Sequence, residues 1–108
     1  MEEKRYSEMT EFELQTEISR LNDKAKKAEQ LGQMNEFAVY ERKMLMAKAY
    51  LLDPNDFKPG ATYKLGNDEE TFHISYLNGR FAWGYRNEEA KLEAVPISLL
   101  GEQLSREG

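Results

Sequence analysis

Cysteine is absent from the 108-residue chain, which removes disulfides, thiolate metal sites and cysteine nucleophiles. Histidine occurs once, at His73, so no histidine cluster can ligate a metal. No stretch approaches the roughly 18 apolar residues of a membrane span. The start, Met1-Glu2-Glu3-Lys4-Arg5, leads into polar residues rather than the apolar core of a secretory signal. Positive charge is also scarce: 15 Lys and Arg against 20 Asp and Glu give a net charge of −5. Neither half is basic when the chain is divided at Asp53, and broad binding to phosphate backbones is disfavoured. A soluble, cytoplasmic protein with no membrane segment is the expectation.

The chain has ordinary globular content, with 40% hydrophobic and 11% aromatic residues. Met9-Thr10-Glu11-Phe12-Glu13-Leu14 reads as a helix start. Thr10 and Glu13 form a capping box, and Met9 with Leu14 forms a hydrophobic staple. Leu14, Ile18, Leu21, Ala25, Ala28 and Leu31 then recur at spacings of three and four, and Gly32 offers the left-handed residue that closes such a helix. A second helix is predicted from about Asn35 to Leu52, stopped by Asp53-Pro54. Its apolar residues, among them Phe37, Val39, Tyr40, Met44, Met46 and Leu52, cover most of its circumference, which predicts contact with the first helix on one side and with the β unit, or another subunit, on the other.

After the connector Asn55-Asp56-Phe57-Lys58-Pro59-Gly60 the period changes to two, the mark of β structure. Strands are expected at 61–65, 71–77, 80–86 and 92–98, with an acidic turn at 66–70, a frayed tail from Glu102, and Pro96 marking an edge or bulge. Asn78-Gly79 is the preferred pair for a type I′ hairpin. That turn places Phe72, Ile74, Tyr76, Phe81, Trp83 and Tyr85 on one face and His73, Ser75, Ala82 and Gly84 on the other. The predicted class is α+β: an N-terminal antiparallel helical hairpin (1–53) packed on a C-terminal SH3-like small antiparallel β-barrel (54–108), acting as one cooperative unit.

Catalytic, cofactor-binding and metal-ligating sets are all lacking. His73 and Ser75 lie two residues apart but come with no orienting carboxylate, and Asp68-Glu69-Glu70 and Glu88-Glu89 lack the interleaving of a calcium loop. Arg20, Lys24, Lys26 and Lys27 sit near Glu17 and Asp23 and read as a solvated mixed-charge face. The sharpest feature is the aromatic hairpin, so Tyr76, Arg80, Trp83, Tyr85 and Arg86 are the candidate interaction surface. Its expected partner is a protein, a second copy of the chain included; a nucleic acid is the weaker alternative given the acidity.

Lys24-Ala25-Lys26-Lys27-Ala28-Glu29, Glu41-Arg42-Lys43, Met46 through Leu52, Tyr76-Leu77-Asn78-Gly79, Phe81-Ala82-Trp83-Gly84-Tyr85-Arg86 and Pro96-Ile97-Ser98 together resemble the YfhH-like family of Bacillus-type bacteria. The resemblance spans nearly the whole chain. It implies a helical hairpin followed by an SH3-like barrel in a bacterial cytoplasm, and it brings no activity or functional residues with it.

Overall fold

Thr10 and Glu13 make the reciprocal pair their spacing predicts: the Glu13 amide donates to Thr10 Oγ1 at 3.1 Å, and the Thr10 amide donates to Glu13 Oε1 at 2.9 Å. In the computed structural model, which describes residues 4–66 and 69–105, this cap starts helix α1 (Glu11–Gln30). Gly32, at φ +74°, ends it. The Gln33 amide reaches the Ala28 carbonyl at 2.8 Å and the Gly32 amide reaches that of Glu29 at 3.1 Å, the two bonds of a Schellman closure. Helix α2 (Met34–Ala49) follows at once and folds back, so that Leu21 and Ala25 meet Met44, with Ile18, Phe37 and Tyr40 packed around them. Burying a leucine as completely as Leu21 contributes about 2 kcal/mol. The exposure of α2 is uneven along its circumference. Met44, Ala47 and Ala49 are buried, but Met34, the first residue of the helix, is 57% exposed, and Val39, on the side away from Phe37 and Met44, is also open.

The chain divides into two compact units, Met1–Leu51 and Leu52–Gly108. The second holds a five-stranded antiparallel sheet: β1 (Thr62–Leu65), β2 (Thr71–Asn78), β3 (Phe81–Arg86), β4 (Leu92–Pro96) and β5 (Leu100–Ser105), in the order β4-β3-β2-β1-β5. Asn67 and Asp68 of the expected acidic turn lie outside the described residues. Pro96 does end an edge strand. The tail, by contrast, is not frayed from Glu102: β5 runs to Ser105 and pairs with β1, Tyr63 opposite Gln103 and Leu65 opposite Leu100.

A single 3-10 turn, Ile97–Leu99, carries the chain from one edge strand to the other. Four interstrand spacings of ~4.8 Å would separate those edges by about 19 Å in a flat sheet. The step from Pro96 to Leu100 advances only ~8 Å at 3-10 rise. The sheet is therefore strongly curled, and the turn is held at both ends: the Ile97 amide donates to the Arg80 carbonyl and the Gly66 amide to that of Leu99.

The β2–β3 hairpin departs from the expected register in two places. Gly79 and Arg80, not Asn78 and Gly79, are the central turn residues: Asn78 pairs with Phe81, and Gly79 has φ +60°. A left-handed first central residue is what a II′ turn needs. The register then shifts between Ile74 and Tyr76, so Tyr76 pairs with Trp83 but Ile74 with Gly84. Around that bulge the alternation of β2 reverses, and the aromatics part company. Phe72 and Ile74 point into the core with Ala82 and Gly84, alongside Tyr63, Leu65, Val95 and Ile97. Small residues on β3 give the large ones on β2 their room. A Cβ on Gly84 would lie 1.8 Å from the His73 carbonyl oxygen, so the two backbones meet where only glycine fits.

Candidate functional site

Directly paired residues in a sheet share a face. The face opposite the core therefore carries Tyr76 beside Trp83 and Ala94, and Thr62, His73, Tyr85 and Leu92 in a row. Tyr76 and Trp83 lie parallel, with ring centroids 5.9 Å apart and planes 4° from coplanar. Tyr76 is 45% exposed and Leu92 is also open, whereas Trp83 and Tyr85 are half-buried. A stack of this kind contributes about 1 kcal/mol beyond its burial and holds two aromatic planes in one orientation. The bulge at Ser75 creates the arrangement, since it turns Tyr76 outward to meet Trp83.

Of the five residues expected to form a surface, the fold brings three to this face: Tyr76, Trp83 and Tyr85. Arg80 sits half-buried in the hairpin turn. Arg86 pairs with buried Phe72 in the sheet register and is turned the other way. Its Nε and Nη2 each donate to Glu93 at 3.1 Å, and Nη1 donates to Glu70 at 2.8 Å. Those bonds raise the guanidinium pKa, Glu93 contributing most, and the same bonds hold the Glu93 carboxyl below its ordinary value of 4.5. Arg86 is thus a tie between the β2 and β4 ends of the sheet. Neither carboxylate could be identified from spacing, because Glu70 comes from another part of the chain.

Sequence reasoning missed the turn after β3. Asn87 and Glu88 have φ +51° and +65°, and the Glu89 amide donates to the Arg86 carbonyl at 2.8 Å, which makes this a type I′-like turn without glycine. Asn87 is fixed there by its side chain, whose Oδ1 accepts from the Thr71 amide at 2.8 Å. Asparagine's tolerance of left-handed geometry was the available signal.

The turn overhangs a concavity of about 640 Å³ on the outer face, lined by Thr62, Thr71, His73, Tyr85, Glu88, Glu89 and Ala90. Within it, His73 Nδ1 lies 3.1 Å from Thr62 Oγ1. The imidazole thus meets a hydroxyl on a neighbouring strand, not the carboxylate that would orient a general base. Among the described residues there is no grouping of three or more His, Cys, Asp or Glu able to hold a metal. Nor is any described helix long and apolar enough to cross a membrane.

Residues 4–101 match the family described as "Protein of unknown function (DUF1811)". The chain is also similar to "Uncharacterized protein YfhH" of Bacillus subtilis (strain 168), 61% identical over 102 residues that cover 94% of this chain and 98% of that protein. A match over nearly the full length of the chain, together with a bacterial relative at that identity, places the sequence: the chain belongs to the DUF1811 family of proteins of unknown function.

Proposed function

We propose that the chain is a small, non-enzymatic protein-interaction module of the bacterial cytoplasm, in which an SH3-like barrel presents the Tyr76, Trp83 and Tyr85 face to a partner protein. The barrel reading rests on the three-residue 3-10 turn that joins the two edges of a five-stranded sheet. The functional reading rests on one observation: Tyr76 and Trp83 are stacked and pre-oriented on the outer face, with Tyr76 open to solvent. Pre-ordered aromatic area of this kind carries much of the binding energy in protein interfaces, since little rotamer freedom is lost on contact. The threonine partner of His73 supports a non-catalytic reading. Commitment of Arg86 to Glu70 and Glu93 weighs against nucleic acid, because that charge is already neutralised.

Affinity capture of the tagged protein from its own bacterial lysate, with and without nuclease, tests this. A protein retained after nuclease and lost with Tyr76→Ala is the expected result. Tyr76 is exposed, so the variant keeps its core. Retention that vanishes with nuclease, or that ignores both Tyr76→Ala and Trp83→Ala, would sink the proposal.

A further inference from the structure

The helical unit carries a second surface, of different chemistry. Lys4 and Arg5 precede α1, and the fold lays them beside the α1 and α2 side chains Arg20, Lys24 and Lys43 in a groove of about 860 Å³. Among the described residues that line it, five cations meet only two carboxylates, Glu13 and Glu17, in a chain whose net charge is −5. Both carboxylates are already engaged. Lys4 Nζ lies 2.9 Å from Glu13, and Arg20 Nε donates to Glu17 at 3.0 Å. The surplus positive charge falls to Arg5, Lys24 and Lys43.

The groove is also apolar. Phe12 is 78% exposed on its rim and Met9 is half-buried beside it, while Lys24 lies over the Tyr40 ring at 6.0 Å from its centroid. At that exposure the Phe12 ring buries little within the chain and stays open to a ligand. Positive charge around an apolar centre is the complement of a ligand that is negative and partly apolar.

We propose that this groove docks an acidic amphipathic segment of a partner protein, whose carboxylates meet Arg5, Lys24 and Lys43 while an apolar side chain lies on Phe12 and Met9. A nucleic acid fits less well. Its phosphates are closely spaced, and the wall carries Glu13 and Glu17, both held ionised by their hydrogen bonds, which would repel a continuous run of negative charge. A peptide can place its acids apart. The proposal stands independently of the aromatic face of the sheet.

Fluorescence anisotropy of the full chain with a labelled peptide of alternating Glu and Leu, at low salt, is the test. A peptide with Gln in place of Glu and a single-stranded oligonucleotide serve as comparators. The Glu peptide should bind, the Gln peptide should not, and the paired Lys24→Gln and Lys43→Gln changes should weaken binding about tenfold. Phe12→Ala should weaken it several-fold, and Tyr76→Ala should leave it unchanged, so this inference and the sheet-face reading fail separately. Circular dichroism of each variant confirms that α1 and α2 persist. No binding of the Glu peptide, equal binding of the Gln peptide, indifference to the lysine pair, or oligonucleotide binding tighter than the peptide's and indifferent to Phe12→Ala would each overturn it.

Discussion

Replacing Gly84 by alanine would put a methyl carbon 1.8 Å from the carbonyl oxygen of His73, 2.9 Å from its carbonyl carbon and 3.1 Å from Cα of Ile74. All three obstacles are backbone, so no side chain can swing aside. Restoring an ordinary contact of 3.4 Å requires β2 and β3 to part locally by about 1.6 Å, a third of the ~4.8 Å interstrand spacing. Ladder hydrogen bonds do not survive such a gap. Two lost bonds at ~1 kcal/mol each, with 1–3 kcal/mol of overpacking, give a cost of about 3–5 kcal/mol. For a small domain that is a melting temperature lower by about 15–30 °C. Trp83 is the only tryptophan and adjoins the site, so its fluorescence in thermal and urea unfolding reads the event directly. Gly101→Ala is the control, because its new carbon would meet Lys64 at an unstrained 3.5 Å. A Gly84→Ala protein melting within a few degrees of the original would refute the close approach of the two strands.

Other outcomes follow from the same reasoning. Thr10→Ala should cost about 1 kcal/mol by stripping the cap of α1, visible as a lower midpoint in far-ultraviolet circular dichroism. The Glu93 carboxyl is held below its ordinary 4.5 by Arg86, so its contribution is complete above that pH and is lost as pH falls through the lower, folded-state value. Glu93→Gln should accordingly lose about 1 kcal/mol at neutral pH and show a flatter decline of stability in acid, measured by urea midpoints across pH. Glu88→Gly should stabilise the sheet by about 0.5–1 kcal/mol, since a left-handed φ of +65° strains a glutamate, which lacks asparagine's tolerance of that geometry, and a lower melting temperature would show that the turn depends on the glutamate itself.

Features that depend on near neighbours in the chain were legible before the fold was known. The Thr10–Glu13 box and the Gly32 closure depend on residues a few places apart, and Pro96 marked an edge or a bulge through its own missing amide. Hairpin register did not follow from such rules. Asn78-Gly79 is a strong turn signal, yet core volume decided the outcome: Ala82 and Gly84 face inward because Phe72 and Ile74 fill the space opposite. The bulge at Ser75 carries no residue-type signature and moved Tyr76 across the sheet. Strand β5 escaped notice for another reason. Gly101, Glu102, Gln103 and Leu104 are all exposed, so the strand is held by backbone pairing and shows no alternation of apolar residues. Within the candidate site, Tyr76, Trp83 and Tyr85 were identifiable as aromatics, but the fate of Arg86 was settled by Glu93 of β4 and by Glu70, just ahead of β2.

The pairing of β1 with β5 also sets an order of events during synthesis. Tyr63 must wait for Gln103, forty residues later, whereas β2, β3 and β4 can zip together through adjacent turns. At the usual pace of translation one border of β1 stays unsatisfied for ~2–8 s. That border is a template for any passing strand, and Lys64, exposed in the middle of β1, is the charge that makes it a poor one. Exchanging Lys64 for an apolar residue would leave the finished fold intact while turning the nascent chain toward aggregation, a defect visible in the yield of soluble protein and invisible in its melting temperature.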